Sequence, residues 1–355
     1  MEGPEKDISM EEVREALKKM KKEKAEGPSE VSSDWFKALE VDGVEWLTEV
    51  INKAWKAEEI PTDWKESTLI PIYKGKGNIM DCGNYRGIKL LEHTMKIYEK
   101  VLDNRLRQLV DIDAMQFGFM PGRGTTDAIF IMRQMQEKCL EGNNRLFTAF
   151  VDLEKAYDRI PREVIIWALR KRGITEKVVR VVQSLYHECI TSVQCGEGTS
   201  DPFPVEVGLH QGSALSPFLF AMIMDTISAD TREGVPLELL FADDLAVSAA
   251  SEEGLQERVW TWQEELEKKG MKMNCRKTEV MVTAKEDGMA LEVKARSGVV
   301  IKQVKNFSYL GSVIESGGGC REEVQARIKK AWNKWREVIG VVCDKRMPIY
   351  LRSKI

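Results

Sequence analysis

The sequence predicts an α+β fold in which helices pack on one face of a sheet. Two short apolar segments, residues 146–151 and 237–241, lead directly into aspartates and are typical of buried strands. Around them the predicted elements follow in the order strand, two helices, hairpin, helix, hairpin, helix and strand. The sequence has no internal repeat and no long low-complexity linker. This order would bring Asp152 and Asp243 onto neighbouring central strands.

The N-terminal part is predicted to be largely helical. Ser9 and Glu12 form a capping box that should start a helix ending before residues 27–28, and a second helical region covers residues 33–56. Gly43 is a candidate for a break within that region. Further elements are a short strand at 68–73 broken by Pro71, a basic turn at 74–78 and a helix at 92–109.

The remaining elements are predicted from periodicity and from the positions of glycine and proline. Residues 115–126 contain too many glycines for a helix or a regular strand. Helices are expected at 127–140, 161–170, 176–187, 213–231 and 251–269, a hairpin at 191–195 with 203–207, strands at 278–282 and 299–303, and a basic helix from 321.

Size and composition restrict the class of protein. A chain of 355 residues that is 43% hydrophobic can bury a core and should divide into two or three subdomains. No apolar run reaches the length of a membrane span, and residues 1–7 lack a signal-peptide pattern, so we expect a soluble, intracellular protein. The seven cysteines form no CxxC pair and are expected to be reduced, mostly packed thiols without a zinc site.

The charge is unevenly distributed along the chain. The net charge of −4 argues weakly against a nucleic-acid partner. Residues 65–107, however, contain nine Lys/Arg against five Asp/Glu, and residues 321–354 contain ten against four. These blocks indicate either phosphate-facing surfaces or ordinary solvated helix faces, and the composition does not decide between them.

The aspartates at the strand ends are the candidate catalytic groups. Asp152 and the pair Asp243–Asp244 could be held rigidly a few Å apart, as two Mg²⁺ ions bridging phosphate oxygens require. Aspartate is also an ordinary turn residue at the end of a strand, and one Asp-Asp pair is expected by chance. These two segments alone leave both interpretations open.

Eight ordered blocks give the chain a resemblance to a known family, the reverse transcriptase domain of non-LTR (LINE-type) retrotransposons. Each block alone is weak, but their order and approximate spacing are specific, and together they reach from about Met10 to the last residue. The blocks are KAEGP (24–28), NYRGIKLL (84–91), QFGFMPGRGTTDA (116–128), VDLEKAYD (151–158), GLHQGSALSP (208–217), FADD (241–244), GMKMNCRKT (270–278) and YLG (309–311).

The resemblance implies a right-hand polymerase with fingers, a palm built on a ferredoxin-like antiparallel sheet, and a partial thumb. It would extend a DNA primer with dNTPs along an RNA template. No membrane partner is implied, and the resemblance does not indicate an oligomeric state. The implied divisions are an N-terminal helical extension (1–57), fingers (58–145), palm (146–305), and the primer-grip turn with the start of a thumb (306–355).

The resemblance also assigns the catalytic residues. Asp152, Asp243 and Asp244 correspond to the family's metal-binding carboxylates, which would hold two Mg²⁺ ions, with Mn²⁺ as a substitute. Lys277 matches a lysine that would give a proton to the leaving pyrophosphate, and the alternative is a solvated lysine near a strand start.

Tyr157 matches an aromatic residue that lies against the sugar of the incoming nucleotide and would exclude a 2′-hydroxyl. The alternative for Tyr157 is core packing on a short amphipathic turn. Gly208, Gln211 and Gly212 resemble the loop that faces the template and the nascent base pair, where glycine permits close backbone approach. The alternative is an ordinary glycine-bearing loop before a helix.

The remaining implied contacts are with the triphosphate and the primer. Lys74 and Arg86 are the expected triphosphate ligands, and Lys76 competes with Lys74 without a sequence feature that separates them. The turn that would seat the primer end consists of Tyr309, Leu310 and Gly311.

The departures from the family pattern are modest. Ser213 and Ala214 replace a frequent Cys-Pro, and Glu26 and Ser29 stand where Pro and Asp are usual. The family's full polypeptide carries an endonuclease domain before this region and a longer thumb after it, so we expect the chain to be a fragment, a truncated copy or a partial gene model.

Two other functions remain open from the sequence. A catalytically inactive, nucleic-acid-binding remnant would retain salt-sensitive binding without synthesis. A group II intron-type maturase or an RNA-copying RNA polymerase is less favoured, because Tyr157 argues for dNTPs and no splicing domain follows. Nuclear and cytoplasmic locations are not distinguished.

Overall fold

The computed structural model describes residues 5–196, 198–232, 236–285, 289–352 and 354, and it confirms the α+β class. The chain divides into two compact units, each made of three segments. Unit 1 comprises Met1–Gly122, Leu153–Arg232 and Glu264–Met273, and unit 2 comprises Arg123–Asp152, Glu233–Gln263 and Asn274–Ile355. The four-part division implied by the resemblance stays a prediction.

The helices and strands are numbered in chain order. The helices are α1 Met10–Lys19, α2 Ser33–Lys37, α3 Val41–Ala57, α4 His93–Leu109, α5 Thr125–Glu141, α6 Ala156–Arg159, α7 Arg162–Lys171, α8 Glu176–Tyr186, α9 Ser216–Ser228, α10 Glu252–Lys268, α11 Arg321–Val342 and α12 Ile349–Arg352. The strands are β1 Glu66–Tyr73, β2 Tyr85–Leu91, β3 Leu146–Val151, β4 Ile190–Cys195, β5 Gly198–Thr199, β6 Phe203–Pro204, β7 Glu238–Phe241, β8 Asp244–Ala249, β9 Glu279–Thr283, β10 Lys302–Gln303, β11 Asn306–Tyr309 and β12 Ser312–Glu315.

The N-terminal helices of unit 1 begin as predicted. The capping box of Ser9 and Glu12 is present at the start of α1. The predicted break in the second helical region exists, but it falls between α2 and α3 and not at Gly43. Gly43 lies within α3, and a Cβ there would lie 2.8 Å from the side chain of Leu39, which precedes the helix. Glycine at this position therefore leaves space for Leu39.

The sheet of unit 1 has the order β2-β1-β4, with β5 and β6 both paired to β4. The prediction that Pro71 breaks β1 is wrong, because the strand runs without interruption from 66 to 73. Only residues 66–69 pair with β4, so Pro71, which has no N–H, lies beyond that ladder and removes no hydrogen bond from it. Residue 197, in the connection of the predicted 191–207 hairpin, lies outside the described residues.

The core of unit 1 is helical. Every described residue of α9 from Phe218 to Ser228 is buried, which agrees with its predicted apolar character. Asp225 on this helix is 1% exposed in its side chain and pairs with Arg172 and Arg232. The buried carboxylate thereby joins α9 to the end of α7.

The sheet of unit 2 has the order β10-β9-β3-β8-β7 and is antiparallel except for the β9–β10 pair. All six residues of β3 are buried, as expected for a central strand. Gln136 of α5 is buried and donates to Thr283 Oγ1 at 2.8 Å and to the Glu315 carbonyl at 3.0 Å. This single side chain therefore connects α5 with β9 and β12.

The cysteines are free in the described chain, as predicted, but they are not mostly packed. Cys189 is buried, whereas four cysteines are exposed: Cys82 in a short turn, Cys195 at the end of β4, and Cys320 and Cys343 at the two ends of α11. Among the described residues, no helix combines the length and apolarity needed to cross a bilayer.

Candidate active site

Three carboxylates meet at one end of the sheet in unit 2. Asp152 directly follows β3, and β7 and β8 are joined by a two-residue turn, Ala242–Asp243, that is closed by the pair Phe241 and Asp244. Val151 pairs with Leu245 across the β3–β8 ladder, so Asp152 and Asp244 lie one position further along neighbouring strands. The predicted adjacency of the strand ends is confirmed.

The turn that presents Asp243 contains a residue in an unfavourable backbone conformation. Ala242 has φ +58° and is buried. A non-glycine residue in the left-handed region costs about 1 kcal/mol or more and persists where the surrounding structure imposes it. Here the imposed conformation fixes the direction in which both aspartates leave the hairpin.

Close packing of the carboxylates raises the pKa of Asp152 and of Asp244. Part of Asp244 reaches solvent, but neighbouring atoms remove much of its hydration, and this desolvation with the charges of Asp243 and Asp152 raises its pKa to about 6. Desolvation also raises the pKa of Asp152; Asp243 acts in the same direction, and Lys277 opposes it. A bound cation would stabilise carboxylates that are desolvated and close together.

The donor set fits a divalent metal ion. Oδ2 of Asp152 is buried and accepts no hydrogen bond within the described structure, and three carboxylates provide the oxygen ligands that Mg²⁺ prefers. Within the described ranges, no three acidic, histidine or cysteine side chains already converge as a metal site, so metal binding would require side-chain rotation.

Lys277 lies beside the carboxylates. Its Nζ is 3.7 Å from Asp152 Oδ2, which is an ion-pair distance and too long for a hydrogen bond. The segment that carries it is fixed to the strand end, since Asn274 N donates to the Asp152 carbonyl at 2.8 Å and Asp152 N donates to Thr278 Oγ1 at 3.3 Å. The structure thus places Lys277 beside Asp152, and its predicted role as a proton donor stays a prediction.

The predicted primer turn also lies in unit 2. Leu310 and Gly311 form a two-residue turn between β11 and β12, with φ of +48° and +85°. Tyr309 is 2% exposed, and its ring lies 5.6 Å from that of Phe150, which itself stacks on Phe307 at 4.0 Å. Burial and the charge of Asp244 raise the pKa of the Tyr309 phenol. Tyr309 therefore anchors the turn, and Leu310 and Gly311 form its tip.

Tyr157 and the loop around Gln211 come together in unit 1. The Tyr157 ring stacks on Phe220 at 4.5 Å and meets Phe119 edge-on at 6.4 Å, so it is partly a packing residue, as the alternative interpretation proposed. Leu209 N donates to the Tyr157 carbonyl at 2.7 Å, and Gln211 Nε2 donates to Asp158 Oδ1 at 2.7 Å.

The two loop glycines are required by contacts within unit 1. Gly208 has φ +86°, and a Cβ there would lie 2.7 Å from the Asp158 carbonyl oxygen. Gly212 has φ +116°, and a Cβ there would lie 2.4 Å from the Lys89 carbonyl oxygen. Glycine at both positions thus allows close packing of protein backbone, and the contact of this loop with the template and the base pair stays a prediction.

The predicted triphosphate ligands are solvent-facing residues on or next to the β1–β2 hairpin. Lys74 is exposed and its Nζ donates to the Gly83 carbonyl at 2.9 Å. Arg86 is exposed on β2 opposite Ile72, and Lys76 is exposed in the connecting loop. Their geometry does not separate Lys74 from Lys76.

Glu99 is a site-supporting residue that sequence reasoning missed. It is 1% exposed on α4, and its two oxygens accept from Ser213 Oγ at 2.6 Å and from Ala214 N at 2.8 Å. Burial raises its pKa to about 7. A proline at 214 would lack this N–H, so the replacement of the usual Cys-Pro is the signal that could have pointed to Glu99.

Comparison with known proteins gives a family match. The model of the family "Reverse transcriptase (RNA-dependent DNA polymerase)" matches residues 72–314, which is more than half of the chain. A search of solved structures finds apo telomerase from Candida tropicalis, truncated from its C-terminal domain, with TM-score 0.48 and 15% identity over 77% of this chain and 59% of that one.

Several curated relatives come from mobile elements. The RNA-directed DNA polymerase from mobile element jockey of Drosophila melanogaster is 26% identical over 87% of this chain, and the alignment covers 35% of that relative. The probable RNA-directed DNA polymerase from transposon BS of the same organism is 24% identical over 100% of this chain and 41% of its own length. The retrovirus-related Pol polyprotein from the type-1 retrotransposable element R2 of Nasonia vitripennis is 23% identical over 89% of this chain and 32% of its own length. The chain thus spans less than half of each of these relatives.

Proposed function

The chain belongs to the reverse transcriptase (RNA-dependent DNA polymerase) family, and from this membership we propose that it is the RNA-directed DNA polymerase part of a non-LTR retrotransposon protein. The family implies an RNA template and nucleotide substrates; we propose a DNA primer and dNTPs as the other reactants. The observation that supports this most directly is the position of Asp152, Asp243 and Asp244 at adjacent strand ends.

The family generally uses divalent metal ions, and Asp152, Asp243 and Asp244 would hold them in this chain. Such ions, when bound, neutralise the triphosphate and lower the pKa of the primer 3′-hydroxyl. The hairpin turn at Ala242 and the β3–β8 ladder fix the backbone of the three aspartates at adjacent strand ends, so their side chains need only rotate to bind metal ions. Phosphoryl transfer depends mainly on such alignment.

The remaining residues would position the substrates. Lys277, beside Asp152, is available to hold a proton for the leaving pyrophosphate. Tyr157 is half-buried between Phe119 and Phe220, and the rigidity of this stack favours its role as a barrier to a 2′-hydroxyl. Lys74 and Arg86 are exposed cations that can move to meet a triphosphate, and the Leu310–Gly311 turn would seat the primer end.

Primer extension on an RNA template tests the proposal. The double variant Asp243→Asn with Asp244→Asn keeps side-chain volume but removes two ligand charges, so we expect incorporation of dNTPs to fall by at least about 10³-fold. The control, Glu253→Gln with Glu257→Gln on α10, removes two exposed charges elsewhere in unit 2 and should retain full activity. Synthesis that survives the double aspartate substitution would refute the metal-binding role.

The same assay separates the alternative functions. A nucleic-acid-binding remnant would bind RNA in a salt-sensitive manner yet incorporate no nucleotide at any Mg²⁺ or Mn²⁺ concentration. Efficient extension with rNTPs alone would indicate an RNA polymerase and would contradict the role of Tyr157.

A further inference from the structure

Phe119 combines two unfavourable features in one residue. Its φ is +60°, in the left-handed region that favours glycine, and its large apolar side chain is 42% exposed. A turn in this conformation normally carries glycine or asparagine. Any other residue is strained there and persists only where the surrounding structure imposes the conformation. The contacts that impose it on Phe119 therefore indicate the role of its ring.

The backbone of Phe119 is held by the last turn of α4. Nη1 of Arg107 donates to the Phe119 carbonyl at 2.9 Å. Nε of the same guanidinium donates to Asp103 Oδ1 at 2.7 Å, and the buried Asp103 also accepts from Lys100 Nζ at 2.6 Å. A guanidinium that is paired with a buried carboxylate has little freedom to move. Arg107 is therefore a fixed donor for a strained carbonyl.

The same guanidinium packs against the helix that supports Tyr157. The guanidinium carbon of Arg107 lies 4.4 Å from the ring centre of Phe218 on α9. Phe220, two residues further along this helix, stacks on Tyr157 at 4.5 Å with ring planes 9° apart, and Phe119 meets Tyr157 edge-on at 6.4 Å and 83°. Edge-to-face packing at this distance is a favoured arrangement of aromatic rings. Tyr157 thus contacts two phenylalanines, and Arg107 contacts the segment that carries each of them.

The two phenylalanines restrict different movements of Tyr157, and all of these residues belong to unit 1. A barrier to a 2′-hydroxyl works only if the Tyr157 ring stays in one position, since a displacement of about 1 Å would make room for the extra oxygen. The stack on the buried Phe220 opposes movement toward the core but still allows the ring to slide or tilt in its own plane. The edge-on ring of Phe119 opposes that remaining movement.

We propose that Phe119 is a positioning residue for the choice of sugar. Its ring keeps Tyr157 in the orientation that excludes ribonucleotides, and Arg107 holds the Phe119 backbone in the strained conformation that this contact requires. The inference rests on the proposed function, which assigns the sugar barrier to Tyr157. It differs from a purely structural role, because loss of the ring should alter the choice between dNTPs and rNTPs and not only the amount of synthesis.

Primer extension that compares dNTPs with rNTPs tests the proposal. Phe119→Gly removes the ring and suits the left-handed backbone, so the variant should fold. We expect the ratio of kcat/KM for a dNTP to that for the matching rNTP to fall by about tenfold, chiefly because the rNTP becomes a better substrate. Phe119→Tyr keeps an aromatic ring and should keep the parent ratio. Phe130→Ala, which removes an exposed ring from helix α5, should also leave the ratio unchanged.

Fluorine NMR of the metal-free protein tests the contact without synthesis. The chain contains seven tyrosines, which 3-fluorotyrosine can replace, and Tyr157→Phe assigns the signal of Tyr157. This signal should shift in Phe119→Gly, because the neighbouring aromatic ring is lost. It should stay in place in Phe130→Ala.

Three results would overturn the inference. They are an unchanged ratio in Phe119→Gly, an equal fall in Phe130→Ala, and a Tyr157 signal that does not move when the Phe119 ring is removed. A purely structural role would lower extension with both kinds of nucleotide to the same degree. A parent protein that incorporates no nucleotide would refute the proposed function, and the fluorine signal would still show whether Phe119 positions Tyr157.

Discussion

Asp244 links the candidate site to pH at the scale of a single residue. Its pKa is raised from 3.8 to about 6, so its ionisation opposes folding. Below pH 3.8 Asp244 is protonated in both the folded and the unfolded chain, and the free energy of unfolding carries no penalty from its charge. The penalty develops as the pH rises through 6, so this part of the stability is lost there. In metal-free protein, Asp244→Asn should therefore raise the free energy of unfolding at pH 8 by about 1 kcal/mol, a value reduced for solvent screening of a partly exposed group.

Urea denaturation in the presence of a chelator measures this effect. At pH 4 the substitution should change little, because Asp244 is then largely protonated in the folded protein. The exposed Asp201→Asn serves as the control and should show no difference between the two pH values. A gain at pH 4 equal to that at pH 8 would contradict the role of carboxylate repulsion.

Gly208 provides a second prediction for a single residue. Gly208→Ala adds a Cβ 2.7 Å from a backbone oxygen in a residue with φ +86°, so strain and a clash combine. We expect a loss of at least about 2 kcal/mol in the free energy of unfolding. Gly75→Ala is the matched control, since φ is +72° and nothing lies within 4 Å, and it should cost only about 1 kcal/mol. Equal losses in chemical denaturation would show that the contact with Asp158 is unimportant.

At the scale of an element, the position of α9 depends on a buried charge cluster. Asp225 is 1% exposed in its side chain and pairs with Arg172 and, at 2.8 Å, with Arg232. Asp225→Asn leaves Arg172 without this counter-charge and leaves Arg232 with only Asp113, at 3.2 Å. We expect a loss of about 3 kcal/mol in thermal or chemical unfolding. Glu176→Gln breaks an exposed pair with Arg170 of similar length, 2.8 Å, and should cost far less stability. A similar cost for both would mean that burial does not control the strength of these pairs.

The elements also show what the sequence could and could not predict. The ends of β3 and of the β7–β8 hairpin were predictable, because apolar runs that stop at aspartates reveal strand and turn together. The continuity of β1 through Pro71 was not, since it depends on where the neighbouring strand β4 stops pairing. The burial of Lys89 was missed for a related reason: a lysine in a strand is normally solvated, and its burial depends on distant residues.

For the whole molecule, the uneven distribution of charge gives the next prediction. The basic block at 321–354 includes α11, on which Lys329 and Lys330 are exposed. If this surface faces a nucleic-acid duplex, Lys329→Gln with Lys330→Gln should weaken binding to an RNA–DNA duplex. The plot of the logarithm of the binding constant against the logarithm of the salt concentration should then become less steep, by about 1.8. The slope is obtained by fluorescence anisotropy at several salt concentrations.

A matched variant controls for net charge. Lys21→Gln with Lys22→Gln removes two exposed lysines after α1 and should leave the slope unchanged. If both variants lower the slope equally, the effect comes from overall charge and the α11 surface has no special role.

For the molecule as a whole, the resemblance read from eight blocks is confirmed by the family match, and the α+β class is confirmed by the fold. The metal ligands, the nucleotide contacts and the four-part division stay predictions. The blocks identify residues of the proposed catalytic and substrate-binding sites. Supporting residues such as Glu99 act through contacts between segments that are distant in the sequence, and no local sequence pattern encodes such contacts.

The interleaving of the two units has a consequence for inheritance. The chain passes from one unit to the other five times, and one passage lies directly after Asp152. Any single recombination breakpoint between related elements therefore exchanges pieces of at least one unit without their folding partners. Recombinants broken inside this region should be lost from genomes more often than those broken outside it, so that the region is transmitted as one block.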